Sequence, residues 1–497
     1  MFYNSILNPF IETIENFESN NAFCIKDNFY TYKEFAQHVS KIRKQLQLVS
    51  LKSSNIGLIA NDDIETYASI FAIWLEGFAY VPIHPSQPKD RGIEILSQAE
   101  IEIVIDSGRI PFFEGISIIE SSKLIFDTMD LKPKIVSDQD LAYIIFISGS
   151  TGKPKGVQIT RGNIAAFMKS FWEVGFMIKP DDKCLQGFDL TFDVSVQSYL
   201  VPLTRGACTY TIPHDQIKYC YISGLLDDHK LTFGAMTPSM IRCMRPYFDE
   251  LVFPDMRYNI LTAEASPVNL IEEWSKCIPN AEIYDFYGPT ETTIYCTYYK
   301  YNKNGDNKQL NGILSIGKAM NGLKTIIVDE KGNLVEANQK GELCISGGQL
   351  TPGYWKNPEK SKESFFEKEL EGVLYRFYKT GDSCFFTDDG DILYAGRLDF
   401  QVKIQGYRIE LGEIEYHARE FLLGRNVIAV AFNNLNGNTE LGLFIEGDQV
   451  DFNVLTDYLR SKLPNYMIPS KIMMKDEFPL NANGKTDRNI LKKQIQI

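Results

Sequence analysis

Apolar runs of strand length alternate with amphipathic, helix-length stretches through the first 300 residues. The runs at 55–60, 80–83, 101–105 and 141–147 have the length and composition of buried strands, and residues 66–78 form a helix-length stretch after the first run. This alternation is typical of α/β proteins with mostly parallel sheets. The pattern therefore predicts a large N-terminal α/β domain.

The pattern changes after about residue 324, where short alternating segments are separated by turn residues. Residues 325–334 and 385–394 each predict a β-hairpin, and the second has its turn at Asp389 and Gly390. We therefore expect a small β-rich subdomain at the end of the large domain.

A second α/β segment follows, in which residues 412–422 and 452–463 predict helices and residues 426–432 predict a strand. The chain contains no internal repeat and no low-complexity tract. We therefore predict two domains, 1–396 and 397–497, joined by a short hinge.

Composition narrows the class of protein. The chain has 497 residues, 44% of them hydrophobic and 23% charged, which is typical of a globular protein with more than one domain. A net charge of −13 disfavours binding to nucleic acid. The longest apolar stretch, 67–83, is interrupted by Glu76 and Gly77, and the N-terminus has no signal-peptide pattern. We therefore expect a cytoplasmic protein without membrane insertion.

The nine cysteines are scattered and contain no C-x-x-C pair. Their spacing resembles neither a disulfide framework nor a zinc motif. Reduced, mostly buried thiols are the expected state.

The strongest local motif is ISGSTGKPKGV at 147–157, directly after an apolar strand. Glycines allow backbone N–H groups to approach oxygen atoms closely, and consecutive N–H groups form anion-binding nests. The motif is not a Walker loop, because Pro154 removes a donor where the helix of such a loop would begin. The predicted phosphate-binding residues are Ser148, Gly149, Ser150, Thr151, Gly152, Lys153 and Lys155.

This motif resembles the signature loop of the adenylate-forming superfamily, which includes acyl-CoA ligases and the adenylation domains of peptide synthetases. Further family-like segments follow the family's order, at 80–83, 192–195, 287–292, 378–382, 396–399 and 483–485. The resemblance spans almost the whole chain. It implies an AMP-forming ligase that uses ATP and Mg²⁺.

The resemblance also implies roles in the segment 287–292. Tyr287 would lie on the adenine ring, Thr290 would contact the α-phosphate, and Glu291 would help to hold Mg²⁺. A carboxylate that shares a hard cation with nucleotide phosphates is the usual arrangement for this metal.

Four more residues complete the nucleotide site that the resemblance implies, and a fifth marks the hinge. Asp382 follows a Thr-Gly turn and can accept hydrogen bonds from a ribose diol. Arg397 offers fixed donors to a phosphate, and Asp285 replaces an Asn usual in the family. Lys485 matches the catalytic lysine, whose charge would favour attack of a carboxylate on an anionic phosphate. Asp399 matches the pivot of the mobile C-terminal domain.

Asp193 matches the acidic residue with which amino-acid-activating members of the superfamily bind the α-ammonium group, so the resemblance implies the amino-acid branch and disfavours the acyl-CoA branch. A carboxylate buried in a pocket needs a cationic partner, and the α-ammonium group of an amino acid supplies one. The alternative interpretation is that Asp193 caps the helix that follows. The other residues predicted to bind the substrate are Val194, Gln197, Thr262, Phe286, Ile294 and Tyr295.

Within that branch, the segments at 156–160, 237–239, 396–403, 406–410 and 463–469 resemble D-alanine–carrier protein ligases. The chain departs from that group at Thr262, where a Cys is usual, and at Phe286 and Tyr295, which are bulkier than usual. Bulky walls indicate a small side chain, and D-alanine is the first expectation. The acceptor would be the phosphopantetheine thiol of a separate carrier protein.

Three alternatives stay open. The chain could be a freestanding adenylation enzyme for another small L-amino acid in natural-product biosynthesis. It could be an acyl-CoA ligase, which Asp193 disfavours. It could also be an inactive nucleotide-binding regulator, which the joint presence of Lys485, Glu291 and Asp382 disfavours.

Overall fold

The structure is a computed structural model that describes residues 1–108, 115–149, 152–213, 216–434, 437–479 and 486–495. The predicted site residues Ser150, Thr151 and Lys485 lie outside the described residues. The chain forms two compact units, each described by itself below. Unit one comprises Met1–Pro85, Gln98–Ile145 and Gly156–Leu398, and unit two comprises Ser86–Ser97, Phe146–Lys155 and Asp399–Ile497.

The strands are β1 (Asn21–Ile25), β2 (Asn28–Thr31), β3 (Asn55–Ile59), β4 (Ala79–Ile83), β5 (Ile103–Asp106), β6 (Ser117–Glu120), β7 (Leu141–Ile147), β8 (Lys155–Thr160), β9 (Lys183–Gln186), β10 (Cys208–Thr211), β11 (Phe233–Met236), β12 (Tyr258–Thr262), β13 (Glu282–Tyr287), β14 (Thr297–Lys300), β15 (Gln309–Leu310), β16 (Ile313–Leu314), β17 (Lys318–Ala319), β18 (Leu323–Val328), β19 (Gly341–Gly347), β20 (Phe365–Leu370), β21 (Val373–Phe386), β22 (Ile392–Arg397), β23 (Gln401–Ile404), β24 (Tyr407–Glu410), β25 (Val427–Asn433), β26 (Thr439–Glu446) and β27 (Lys471–Lys475).

The α-helices are α1 (Asn8–Asn16), α2 (Tyr32–Gln47), α3 (Ile64–Leu75), α4 (Lys89–Gln98), α5 (Arg161–Glu173), α6 (Val194–Leu203), α7 (Lys218–Asp228), α8 (Pro238–Met244), α9 (Val268–Cys277), α10 (Pro358–Ser364), α11 (Leu411–Phe421), α12 (Phe452–Lys462) and α13 (Arg488–Ile495). Short 3₁₀ or π turns cover Tyr3–Leu7, Ser121–Lys123, Arg245–Tyr247, Thr290–Thr292 and Asn465–Met467. None of the described helices is long and apolar enough to cross a bilayer.

Two large sheets dominate the N-terminal part of the chain. The nine-stranded sheet has the order β17-β14-β13-β12-β11-β9-β10-β1-β2, and its six strands from β13 to β1 in that order pair in parallel. The six-stranded sheet has the order β6-β5-β3-β4-β7-β8, with β3 parallel to both β4 and β5. The predicted α/β class with mostly parallel sheets is confirmed.

The helix predicted at 66–78 begins and ends earlier, as α3. Asp63 caps its N-terminus, because the Asp63 side chain accepts a hydrogen bond from the backbone N–H of Thr66. Gly77 adopts a φ of 86° directly after the helix, a conformation that stops helical propagation at low cost only for glycine.

The β-rich section forms a five-stranded antiparallel sheet of order β18-β19-β21-β20, with β22 on β21. The hairpin predicted at 385–394 is confirmed, with Phe386 opposite Ile392 in β21 and β22. The hairpin predicted at 325–334 returns through Leu334 as predicted, but only as a single antiparallel bridge between Val328 and Leu334. The carboxylate of Asp329 accepts hydrogen bonds from nearby backbone N–H groups and organises this turn, whereas the extended partner of β18 is β19.

Unit two contains the antiparallel pair β23–β24 and the three-stranded sheet β25-β26-β27. The helices predicted at 412–422 and 452–463 are found as α11 and α12, and the strand predicted at 426–432 is found as β25. Asp451 caps α12 by accepting from two backbone N–H groups. Ile414, Leu443 and Leu459 are fully buried between these elements, so unit two has a hydrophobic core of its own.

Candidate functional site

Asp193 lies at the N-terminal end of α6 and is 7% exposed. Its side chain makes no standard capping hydrogen bond with the helix. The carboxylate accepts from the hydroxyl of Thr290 and from the backbone N–H groups of Ile294 and Val194. The second carboxylate oxygen, Oδ2, has no hydrogen-bond partner among the residues that the structure describes. A buried acceptor without a partner is costly, and this cost indicates that a ligand belongs there.

Burial raises the pKa of Asp193 to about 6. The hydrogen bond from Thr290 opposes this rise, whereas the negative charge of Glu291 adds to it. At neutral pH the group is therefore ionised but held in an environment that disfavours its charge. A cation placed against it would relieve that cost.

Gln197 follows Asp193 by one helical turn and lies on the same face of α6. Its amide oxygen accepts a hydrogen bond of 3.4 Å from the hydroxyl of Tyr295. Tyr295 is also hydrogen-bonded to the side chain of Thr262. The amide nitrogen Nε2 is buried and without a partner in the described part of the chain. If the positions of the amide oxygen and nitrogen are exchanged, the nitrogen contacts Tyr295 and the oxygen becomes the unpaired atom. One polar atom of Gln197 is therefore available to a ligand in either orientation.

Aromatic rings form the apolar part of the site. Phe286, at the end of β13, is 1% exposed, and its ring stacks on Tyr298 with centroids 5.5 Å apart. The ring of Tyr295 lies 4.9 Å from that of Phe286. Val194, next to Asp193, is also buried. The arrangement combines one carboxylate and one amide with apolar walls, as expected for a pocket that recognises a small polar ligand.

The backbone around this pocket is strained. Thr293 and Ile294 have φ angles of 58° and 73°, although both are β-branched. Such residues rarely occupy this region, and they persist only where the surrounding structure holds them. Buried Gln349 does so, because its amide nitrogen donates to the carbonyl of Tyr295 at 2.6 Å and its own backbone carbonyl accepts from the hydroxyl of Thr293 at 2.5 Å. Sequence analysis missed Gln349, which belongs to no motif.

Gly288 allows the loop after β13 to pack closely against the backbone of Ile294 and Tyr295. A Cβ atom at Gly288 would lie 2.3 Å from the carbonyl oxygen of Ile294 and 2.6 Å from the Cα of Tyr295. Both neighbours are backbone atoms and cannot move aside cheaply. Only glycine therefore allows the loop to approach so closely.

The predicted ribose and adenine residues lie together. The hydroxyl of Tyr287 donates to Oδ2 of Asp382 at 2.5 Å, and Nη1 of Arg397 donates to Oδ1 at 2.9 Å. Asp382 on β21 is the register partner of Arg397 on β22, so the sheet itself brings the two side chains together. Arg397 was predicted to contact a phosphate, whereas in this structure it orients Asp382 and also donates to the carbonyl of Thr380.

Glu291, the predicted metal ligand, is fully buried. The hydroxyl of Tyr354 donates to Oε1 of Glu291 at 2.7 Å, a contact that sequence analysis missed. A buried carboxylate beside the hydroxyl-bearing Thr290 fits Mg²⁺, which binds oxygen ligands and takes the remainder of its shell from phosphates and water. Asp285 accepts a hydrogen bond of 2.7 Å from Ser266.

The phosphate-loop residues belong to unit two. The backbone N–H of Gly149 donates to Oε2 of Glu413 at 3.0 Å, and Nζ of Lys155 lies 3.3 Å from Oε1 of Glu410. Carboxylates of unit two thus contact donors that were predicted to bind phosphate, and an anionic ligand would have to replace them. Lys153 is exposed and pairs with Glu94.

The other predicted residues of unit two are also placed. Ser148 donates to the carbonyl of Arg408 at 2.9 Å, and Gly152 has a φ of 80°. Asp399 is the first residue of the C-terminal segment of unit two, and its carboxylate accepts from the backbone N–H of Gln401 at 3.0 Å.

The fold is similar to that of solved adenylation domains. The Vibrio cholerae adenylation domain AlmE, solved in complex with glycyl-adenosine-5′-phosphate, superposes with a TM-score of 0.86 at 24% identity over 98% of this chain and 97% of that chain. NpsA-ThdA, an artificially fused adenylation–PCP di-domain from Klebsiella oxytoca, gives a TM-score of 0.83 at 22% identity over 94% of this chain and 93% of that one. Identities this low establish the shared fold alone.

The curated relatives are much longer than this chain. A linear gramicidin synthase polypeptide of Brevibacillus parabrevis is 32% identical over 490 residues, which cover 97% of this chain and 9% of the relative. Tyrocidine synthase 3 of the same organism is 31% identical over 478 residues, which cover 93% of this chain and 7% of the relative. The chain thus spans less than a tenth of the length of these two relatives.

Residues 10–355 match the family described as AMP-binding enzyme, which is well over half of the chain. The resemblance to adenylate-forming enzymes is therefore confirmed, and the chain belongs to the family of AMP-binding enzymes.

Proposed function

We propose that the chain activates a small amino acid with MgATP as its aminoacyl-AMP and then transfers it to the phosphopantetheine thiol of a separate carrier protein. The observation that carries this proposal is the buried carboxylate of Asp193, whose Oδ2 has no partner in the part of the chain that the structure describes. An α-ammonium group would supply both the missing hydrogen bond and the missing positive charge. D-alanine is the first amino acid to test.

In the first step the carboxylate of the amino acid attacks the α-phosphorus of ATP, and pyrophosphate leaves. Asp193 would bind the ammonium group and so orient the substrate for this attack. Tyr287 and Asp382 would hold the nucleoside, and Asp382 is already oriented by Arg397. Bound Mg²⁺ would neutralise charge on the phosphates, and Glu291 is the residue that would hold it.

Lys485 is proposed to place its charge near the reacting carboxylate and α-phosphate, as the resemblance implies. Its removal should slow adenylation by about 10²- to 10³-fold, the cost of losing one preorganised donor in a comparable site.

In the second step the carrier thiol attacks the carbonyl carbon of the aminoacyl adenylate. A thioester forms, AMP leaves with the bonding electron pair, and the thiol proton is released to solvent. The similar fold of the adenylation–PCP di-domain supports a carrier protein as acceptor, and the adenylate bound to the Vibrio cholerae domain supports a small amino acid as substrate. Asp399 is proposed as the pivot between the two steps.

The test is ATP–pyrophosphate exchange with the full chain over all D- and L-amino acids, with Lys485→Ala as the inactive control. Exchange dependent on D-alanine or another small amino acid, absent in Lys485→Ala, is the expected result. Exchange with only a fatty or aryl acid, followed by transfer to free CoA, would overturn the amino-acid proposal and leave an acyl-CoA ligase.

Loading of the carrier is tested separately. A phosphopantetheinylated carrier protein should acquire the amino acid in the presence of ATP, and the same carrier without the phosphopantetheine arm should not. Equal labelling of both carriers would contradict a thioester to that arm.

A further inference from the structure

A cluster of three different metal-binding side chains lies in unit one, outside the proposed amino-acid and nucleotide sites. The sulfur of Cys24, a carboxylate oxygen of Asp27 and a ring nitrogen of His229 all lie within 4.8 Å of one another. We infer that Cys24, Asp27 and His229 bind a divalent transition-metal ion, with Zn²⁺ as the best fit. This inference is independent of the proposed adenylation activity.

The donor set selects the class of metal. Thiolate, imidazole and carboxylate are the ligands of tetrahedral Zn²⁺ sites, whereas Mg²⁺ and Ca²⁺ take oxygen ligands. Bonds of about 2.0–2.3 Å in a tetrahedron place neighbouring ligand atoms roughly 3–4 Å apart. Nε2 of His229 and Oδ1 of Asp27 are already 3.1 Å apart, so a small movement of the sulfur completes the geometry.

The β1–β2 turn places two of the ligands. Lys26 and Asp27 form a two-residue turn with φ angles of 51° and 60°, as a type I′ hairpin requires. Asn, Asp and Gly are the usual residues at positive φ, so Lys26 is the unusual residue of this turn and Asp27 is not. The turn folds Asp27 back over Cys24, and the backbone N–H of Asp27 donates a hydrogen bond to the Cys24 sulfur.

The third ligand comes from a distant part of the chain. His229 directly follows α7, and its ring packs on Tyr210 with centroids 5.1 Å apart. Tyr210 on β10 is the register partner of Cys24 on β1. Parallel pairing of these strands therefore brings His229 to the hairpin, and packing against Tyr210 restricts the orientation of the imidazole.

Accessibility and charge are consistent with metal entry from solvent. The side chain of Asp27 is 73% exposed, whereas Cys24 is buried beneath it. Metal binding would form a bond between Zn²⁺ and the Cys24 sulfur and release the thiol proton to solvent. Three protein ligands leave the fourth position of the metal to a water molecule.

The bound ion would connect the β1–β2 hairpin at the edge of the nine-stranded sheet to the end of α7, through residues 202 positions apart in sequence. A ligand that binds the folded state and not the unfolded chain stabilises the fold to a degree set by its concentration relative to its dissociation constant. The expected role of this site is therefore stabilisation of the sheet edge.

The test is competition between the chelator-stripped full chain and a chromophoric zinc chelator. Wild type should bind one Zn²⁺ per chain, and Cys24→Ser and His229→Gln should each lose at least about 10-fold in affinity, because loss of a direct ligand costs no less than loss of an outer-shell partner. Cys220→Ser, at an exposed cysteine outside the cluster, is the matched control and should bind like wild type.

Co²⁺ provides a second readout. A thiolate-to-cobalt absorption band should appear in wild type and Cys220→Ser and be absent in Cys24→Ser. Asp27→Asn changes only an exposed turn residue, so it tests the site without disturbing the core. It should weaken Zn²⁺ binding and leave the melting temperature in chelator unchanged. No stoichiometric binding by wild type, or equal binding by all variants, would overturn the inference.

Discussion

Asp193 and Gln197 lie one turn apart on the same face of α6, and each has a buried polar atom without a partner among the described residues. Buried polar groups are nearly always hydrogen-bonded, so an unpaired atom on each of two residues one turn apart indicates a place for a ligand. Asp193 offers an acceptor with negative charge, and Gln197 offers a neutral amide atom. The pair therefore defines a small polar surface within otherwise apolar walls, and the ligand that completes it must be complementary to both.

Asp193→Asn tests the proposed recognition of the ammonium group. Removing one partner of a buried charge pair costs about 3–5 kcal/mol, so amino-acid-dependent exchange should fall by about 100-fold or more in kcat/KM. Asp306→Asn, at an exposed position, is the matched control and should behave like wild type. The KM for ATP should change little, since Asp193 is not assigned to the nucleotide. An unchanged kcat/KM for the amino acid would remove Asp193 from the site.

The same variant should change the pH dependence of stability without ligand. The folded-state pKa of Asp193 is raised to about 6, above the unfolded value of 3.8, so the folded state favours the protonated carboxyl group. Its contribution to the stability of the folded state is therefore complete below pH 3.8 and is lost as the pH rises through 6. Above that pH the ionised group costs about 3 kcal/mol relative to a neutral one. Asp193→Asn should therefore melt above wild type at about pH 7.5, and the gap should narrow towards pH 5. A difference in melting temperature between the two proteins that does not change with pH would contradict a buried, ionised Asp193.

Gln197→Leu tests the neutral partner of this pair. Leu has a similar volume but no polar atoms, so the variant removes one hydrogen bond to the substrate and the contact with Tyr295. One neutral hydrogen bond is worth about 0.5–1.5 kcal/mol, so the KM for the amino acid should rise by up to about 10-fold while the KM for ATP stays constant. Parallel changes in both constants would instead indicate a general disturbance of the fold.

Gly288→Ala should damage the loop after β13, because the added Cβ meets backbone atoms of Ile294 and Tyr295. Such overpacking costs about 1–3 kcal/mol, which a lowered melting temperature would reveal. Gly224→Ala is the control: this glycine lies in α7, and the atom nearest to an added Cβ is 3.9 Å away. That change should be neutral or stabilise the chain by about 0.5–1 kcal/mol. Equal effects of the two substitutions would contradict a specific close approach at Gly288.

Asp399→Pro tests the proposed pivot. Proline restricts φ, so rotation at this residue should be impaired while each unit stays folded. Pyrophosphate exchange should continue, and loading of the carrier thiol should fall steeply. The two rates are measured on the same preparation, and an equal loss in both would count against a pivot at Asp399.

Much of the fold could be predicted because its signals are local. Strands such as β7 are continuous apolar runs, and the turn of the β21–β22 hairpin is marked by Asp389 and Gly390. The turn and return at 325–334 could also be predicted, but the return is limited to one bridge between Val328 and Leu334, and the sequence did not indicate that β18 pairs along its length with β19. Strand pairing is a long-range property, and β19 begins only after that loop.

The sequence by itself determined the superfamily and the types of residue in the candidate site. Each motif is a contiguous segment, and the chemistry of its side chains indicates which ligand group they could bind. Only the tertiary structure decided how these residues are held. The backbone carbonyl of Gln349 accepts a hydrogen bond from Thr293, and the hydroxyl of Tyr354 donates one to Glu291. Gln349 and Tyr354 both lie outside the predicted motifs. The cluster of Cys24, Asp27 and His229 is likewise invisible to spacing rules. The physical reason is that hydrogen bonds and metal coordination depend on the distance between atoms in space. Parallel strand pairing brings together residues that are far apart in sequence, and the sequence does not state which strands pair.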